Sequence, residues 1–369
     1  MSGYLQELLA QGRIDRDEYE VLAMTGAMSP EELYAVTAHF ADTMADALPS
    51  GNLAKISSVA GQSISPAFRN SVVSHLGAPV EFAHGANPPP NTPFPIGQQV
   101  TNPPPASPRS FSSASGMPLQ RIDHHSAWRQ AGWAVRNQGA RGTCVAHALA
   151  ACNELAAFAS GTGQIPTSYD GSEQFLYWGA KQCDGSSTDG TRHAFALQAL
   201  QTYGICDETA WPYVTQPGTS VHQGPPPPLA INKAAGNVHA GGTVTSPSNS
   251  QALYQQLLNK PVAIGVPVFR DLSNPKQDNW NVPLMLEYGR VMDPPLKSIV
   301  VGGHAVCVVG FEPDPNERSG NGWFIIRNSW GVNPWGRQLP KGGYWGPEAG
   351  YGQIGWSYID LYLWEMCWL

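Results

Sequence analysis

Gln138-Gly-Ala-Arg-Gly-Thr-Cys144 runs straight into Val145-Ala-His-Ala-Leu-Ala-Ala-Cys-Asn-Glu-Leu-Ala-Ala-Phe158, and this stretch decides the fold. Its second part is rich in Ala and Leu, which predicts a helix beginning at Cys144. Gly142 lets the backbone turn tightly just before it. A cysteine is a nucleophile only as the thiolate, and a helix N-terminus lowers its pKa. A thiolate placed there needs a base as its ion-pair partner and a group that orients the base.

Two later stretches supply those groups. His304 lies in Val301-Gly-Gly-His-Ala-Val-Cys-Val-Val-Gly310, at the start of a predicted central strand, and Asn328 lies in Ile326-Arg-Asn-Ser-Trp-Gly331, at the end of another. A side-chain amide there can hold an imidazole without adding charge. Gln138 has a side-chain N–H that can share an oxyanion hole with the backbone N–H of Cys144. Val262–Phe269, Ala305–Phe311 and Trp323–Arg327 are short, β-branched, Gly-bounded runs and read as strands. Helices first and strands later indicate an α+β domain of two lobes, with the site in the cleft between them.

Upstream the character changes. Residues 1–48 hold nine acids and two bases. Asp15 with Glu18 is an N-cap and capping-box pair, and Gly26 is the expected C-cap. Ser29-Pro30-Glu31-Glu32 is a second helix start, followed by an apolar face at Leu33, Val36, Phe40 and Met44. Asn87 to Pro118 holds ten prolines and one charge, Arg109. Such a segment reads as an extended or disordered spacer, and Pro225 to Pro228 as a surface loop. The division is therefore a helical N-terminal region over 1–86, a proline-rich linker over 87–119 and a catalytic domain over 120–369.

Composition narrows the chemistry. Charged residues are 13% of the 369 and the net charge is −7, which speaks against a nucleic-acid binder. No apolar run approaches the length of a membrane span. The first residues lack the basic start and apolar stretch of a signal peptide. Six cysteines are too few for a disulfide scaffold. Pairing of Cys183 with Cys206 stays open. A cytoplasmic location, or export by a route without a conventional signal peptide, is expected. Cys144 and His147 lack a second ligand pair at zinc spacing, so no metal and no cofactor is expected.

Gln-Gly-x-x-Gly-x-Cys with a helix after it, then Gly-His-Ala-Val-x-Val-Val-Gly, then Asn-Ser-Trp-Gly, in that order, resembles the papain-like cysteine proteases. Ser172-Glu-Gln-Phe-Leu, Asp189-Gly190 and Trp211-Pro-Tyr extend the resemblance over roughly residues 120–369. It implies the two-lobed papain-like fold, with a helical lobe and a β-barrel-like lobe. Cys144 would be the nucleophile, His304 the base, Asn328 the orienter and Gln138 the oxyanion donor. Trp330 would cover the His–Asn hydrogen bond, and Asp189, Gly190, Arg192 and Gly303 would line the substrate cleft.

The departures are informative. Arg141 stands where the family usually has a disulfide-bonded cysteine, and Val145 where it has an aromatic. A chain without that disulfide suits a bacterial-type member. The insertion Glu312 to Gly322 is expected to shape the primed side of the cleft. Residues 1–119 lack the helical pro-segment motif of the plant and animal enzymes, yet a helical unit on an extended linker is the architecture a zymogen requires. The expected activity is cysteine endopeptidase on a peptide or protein substrate, with the N-terminal region in the cleft. The alternatives are an acyl-transfer enzyme or amidase (transglutaminase, isopeptide or cell-wall amide type), and a silent binding homologue.

Overall fold

The computed structural model describes the chain except residues 1–2, 26, 28, 49–51, 76–82, 102–117, 127–133, 161–168, 247, 272–277, 283–288, 295–296, 316, 333–334 and 337–348. Gly26 and most of the proline-rich linker, Arg109 included, fall outside the described residues.

The N-terminal region forms six helices: α1 (Gly3–Ala10), α2 (Arg16–Met24), α3 (Pro30–His39), α4 (Ala41–Ala47), α5 (Leu53–Gln62) and α6 (Pro66–His75). Their starts follow local chemistry. Asp15 and Glu18 close a reciprocal capping box on α2. Ser29 caps α3 with Pro30 in its first turn. The apolar face of Leu33, Val36, Phe40 and Met44 is buried. It spans two helices rather than one, because the backbone leaves helical geometry at Phe40 (φ −118°, ψ 39°).

The catalytic region follows with β1 (Ile122–Asp123), α7 (Cys144–Ser160), α8 (Glu173–Asp184), α9 (His193–Thr202), α10 (Pro228–Ala235), β2 (Thr243–Thr245), α11 (Ser250–Leu257), β3 (Val262–Arg270), β4 (Ile299–Pro313), β5 (Gly322–Arg327), β6 (Tyr351–Gly355), α12 (Trp356–Tyr362) and β7 (Glu365–Trp368). The proline tract at 225–228 thus leads directly into α10. The strands form one sheet in the order β2-β7-β3-β4-β5-β6, with β1 on β4. All the pairings among these named strands are antiparallel.

The sheet's two faces differ in the way strand alternation demands. Val262, Ile264, Val266, Val268, Val306 and Val308 belong to one core, together with the buried residues of α1–α6 and of α11 and α12. The intervening Ala263, Ala305, Cys307 and Val309 belong to a second core with α7, α8 and α9. Small side chains on that second face let α7 approach closely, down to 3.4 Å between the Cys152 and Cys307 sulfurs. This registers α7 on β4 and brings its first residue, Cys144, to the level of Ala305. All six cysteines are free, Cys183 and Cys206 included.

The N-terminal helices dock on the sheet lobe. Arg290 donates to Glu32 of α3 and lies over the Trp323 ring, 4.4 Å from its centroid. Ala27 and Val36 face Met292 and Trp323 across a small cavity. The insertion expected at the cleft is part of this contact instead. It is the tip of the β4–β5 hairpin, at the opposite end of β5 from Asn328. There Glu317 receives the Ser357 N–H at 3.0 Å and Arg318 pairs with Asp293 at 2.8 Å. Among the described residues no helix is long and apolar enough to cross a membrane.

Phe40 sits at the helix break and is 2% exposed. Phe40→Ala should therefore cost about 3–5 kcal/mol through the cavity it leaves. Urea unfolding measures this, and a loss below about 1 kcal/mol would contradict the placement of α3 and α4.

Candidate active site

The site is assembled from both lobes. Gln138 N–H donates to the Ser329 carbonyl at 2.7 Å, and the Ser329 hydroxyl donates to Gln138 Oε1 at 2.6 Å. Gly331 N–H reaches the Arg136 carbonyl at 2.8 Å. These bonds tie the loop before α7 to the loop after β5. His304 Nε2 lies 2.8 Å from Asn328 Oδ1, and Trp330 covers the pair, its ring centroid 4.7 Å from that of His304. His304 Nδ1, on the other side of the ring, is buried without a hydrogen-bond partner. Cys144 heads α7, and its thiol lies near the backbone of Ala305, the residue after His304. Gln138, Cys144, His304, Asn328 and Trp330 are thus brought together.

Arg141 replaces a covalent staple by polar ones. It is buried, and Nη1 donates to Gln174 Oε1 at 2.7 Å and to the Val214 carbonyl at 2.8 Å, while Nη2 reaches the Val221 carbonyl at 3.1 Å. The guanidinium also lies over the Tyr213 and Tyr177 rings, at 4.9 and 5.6 Å. The loop of Gln138 to Cys144 is thereby fastened to α8 and to the loop over 213–222.

The expected substrate residues divide. Asp189 does not line the cleft; it supports the loop from behind. Its Oδ2 takes the Gly142 N–H at 2.6 Å and its Oδ1 the Tyr177 hydroxyl at 2.6 Å. Gly190 does face the cleft: its carbonyl is on the buried Lys181 ammonium at 3.0 Å, and a Cβ on it would stand 2.8 Å from the Gly85 carbonyl oxygen. The backbone pairing edge beside it belongs to Thr191. Arg192 leaves the cleft floor and stacks on Phe195 at 4.8 Å, beside Asn87 and Pro88. His193 is the buried neighbour, 2.9 Å from Glu365. Gly303 is on the cleft wall, where a Cβ would collide with the Trp364 ring at 2.1 Å.

The cleft is filled by the chain itself, through Ala83-His84-Gly85-Ala86-Asn87. Ala86 N–H donates to the Gly303 carbonyl at 2.9 Å, Asn87 N–H to the Thr191 carbonyl at 2.8 Å, and Thr191 N–H to the Gly85 carbonyl at 2.9 Å. Gln138 Nε2 donates to the Ala83 carbonyl at 2.9 Å and to the Arg141 carbonyl at 2.8 Å. Gly85 lies over Cys144, its backbone near enough to the sulfur to favour the anion. These five residues precede Pro88, the first proline of the linker, and pair through their backbone. Beyond them, Gly97 and Val100 pair with Val300 and Ser298 at the start of β4.

Burial under this segment disfavours charge on both groups. Cys144 and His304 are both fully buried. Desolvation pushes the Cys144 thiol up to about 12, against the backbone groups that favour its anion. Desolvation, reinforced by the nearby His84, pulls the His304 imidazole down to about 3. Thiol and imidazole are both neutral here, so the ion pair is absent.

A family model described as papain family cysteine protease matches residues 122–346, more than half of the chain. The chain belongs to that family. Rat (Rattus norvegicus) cathepsin J is 27% identical over 212 residues, which cover 57% of this chain and 56% of the relative. Thiol protease SEN102 of Hemerocallis is 26% identical over 239 residues, 61% of this chain and 54% of the relative. The matched part thus spans a little over half the length of these curated relatives. The crystal structure of xylellain, a cysteine protease from Xylella fastidiosa, superposes with a TM-score of 0.54 at 20% identity, over 78% of this chain and 96% of that one. At that identity the likeness speaks for the two-lobed α+β fold alone.

Two outcomes follow. Arg141→Ala removes charged donors from one buried and two part-buried acceptors and should cost about 2 kcal/mol in urea unfolding, with an unchanged midpoint contradicting the staple. Acid should favour opening of the segment. The open pair, its Cys144 proton already passed to His304, takes up a second proton in acid, whereas the closed pair does so only near 3. Asp278, held low by His84, acts in the same direction. Hydrogen exchange of the Ala86 and Thr191 amides, corrected for the chemical rate, should speed up as pH falls through the acid range. Constant protection would contradict the linkage.

Proposed function

We propose that this chain is a cysteine endopeptidase made as a zymogen, in which residues 83–87 hold the site closed and Cys144, His304, Asn328 and Gln138 perform the hydrolysis once the segment leaves. The observation that carries the reading is the Gly85 backbone lying on the Cys144 thiol inside a His304–Asn328 site.

With the segment gone, water returns and the desolvation that holds Cys144 up and His304 down is relieved. The N-terminal dipole of α7 then favours the thiolate. His304 Nδ1 takes the proton, and Asn328 Oδ1 fixes the ring through Nε2–H. The thiolate attacks the scissile carbonyl. One N–H of Gln138 stays on the Arg141 carbonyl, and the other, now on Ala83, is freed for the oxyanion beside the Cys144 backbone N–H. His304 then protonates the leaving amine, and water releases the acyl group from sulfur.

Chain direction explains why the segment survives. His304 protonates the amine, so the His304 side of the cleft takes the leaving part of a substrate, which is C-terminal to the cut. The segment has His84 on that side and Asn87 on the other, so it runs opposite to a substrate. No peptide bond in it presents its carbonyl and its leaving amine in the productive order.

Gly85 is the lever for testing this. A Cβ there would stand 2.0 Å from the Gly142 carbonyl oxygen and 2.4 Å from Gly142 Cα, both backbone. Full-length Gly85→Ala should therefore hydrolyse a small peptide substrate much faster than the parent. In that background Cys144→Ala should abolish turnover, and Gln138→Ala should slow it by about 10²–10³. Equal rates for the parent and Gly85→Ala, or activity surviving Cys144→Ala, would overturn the reading. Product masses separate hydrolysis from acyl transfer.

A further inference from the structure

Asp278 is a buried carboxylate that the hydrolytic steps leave unused. It follows β3 and is completely inaccessible to solvent. Its Oδ1 is fixed by the Trp280 N–H at 2.9 Å and the Asn281 N–H at 3.1 Å. Its Oδ2 lies 3.0 Å from His84 Nε2, and the Asn281 side chain bridges the same groups. The His84 ring meets His304 and Trp330 edge-on, with centroids 5.4 and 5.7 Å away. So His84 occupies a pocket beside the base, walled by indoles and ended by a fixed negative charge. Among the described residues, His84 makes the only ion pair that Asp278 has.

Departure of the segment takes that imidazole away. Asp278 keeps its Trp280 and Asn281 donors but has no counter-charge, so a positive group that enters the pocket is favoured over a neutral or negative one. The pocket adjoins His304 and is therefore on the leaving-amine side. His84 is next to Gly85, which covers the nucleophile, so the pocket receives the side chain nearest the cut.

We propose that Asp278 is a specificity-determining residue that selects peptides with a basic side chain immediately after the scissile bond. This rests on the peptidase reading above. The inhibitory segment then holds its place by offering the same pocket an imidazole.

The test uses the full chain carrying Gly85→Ala, with and without Asp278→Asn. Asn keeps an oxygen for the Trp280 and Asn281 N–H groups and removes only the charge. Peptides identical except for Lys, Arg, Leu or Glu after the cut are compared by kcat/KM. The Lys and Arg peptides should exceed Leu by about tenfold or more, with Glu lowest, and Asp278→Asn should bring the Lys-to-Leu ratio close to one. The same peptides are ranked by how well they protect Cys144 from alkylation, which requires no turnover. A chain that cuts nothing would overturn the peptidase reading, while the protection ranking still decides the pocket. Absence of basic preference in both measurements, or a preference that Asp278→Asn leaves intact, would overturn the proposal.

Discussion

Gly85 rests on Gly142 with no room for one carbon between them, and the state of the site depends on that contact. A backbone approaching this closely lies near the Cys144 sulfur and excludes water from both Cys144 and His304. The helix dipole behind Cys144 favours a thiolate, but its contribution, about 0.3–1 kcal/mol and up to about 2 when partly buried, is smaller than the cost of a buried unpaired charge. Closure therefore does more than block the entrance. It holds Cys144 and His304 in their neutral forms, so in the zymogen we propose, occlusion and chemical silence come from one cause.

The scaffold serves this contact from both lobes. On one side, Asp189 positions the Gly142 amide and Arg141 anchors the loop to the chain around Tyr213 and Val221. On the other, Gly303 and Thr191 offer two backbone edges between which residues 85–87 fit as an added strand. The few backbone and amide bonds of the segment contribute on the order of 1 kcal/mol each, enough to hold it yet few enough to let it go. Docking of α1–α6 on the sheet lobe keeps the segment near the cleft.

What was legible in the sequence follows from the range of the interactions. Helix caps at Asp15 and Ser29 are local and were readable as such. Gln138, Cys144, His304 and Asn328 stand out because each sits in a short motif whose order is diagnostic. Gly190 was readable as part of the cleft from its motif, whereas the pairing of the next residue, Thr191, with Gly85 and Asn87 depends on a segment more than 100 residues upstream. Asp278 belongs to no motif, and its partner His84 lies 194 residues away. Gly85 was invisible because its need for hydrogen in place of a side chain exists only against Gly142. Arg141 read as a missing cysteine, whereas its three acceptors, spread from Gln174 to Val221, make it a replacement.

The central claim is that residues 83–87 suppress the thiolate itself. It is tested most directly by the pH dependence of Cys144 alkylation with a small reagent, followed by intact mass, in the full chain and in Gly85→Ala. The account predicts that the parent stays unreactive at and below pH 9, because its thiol titrates near 12, while the variant reacts through the neutral range. Coincident profiles for the two proteins, with the parent reactive at neutral pH, would contradict it.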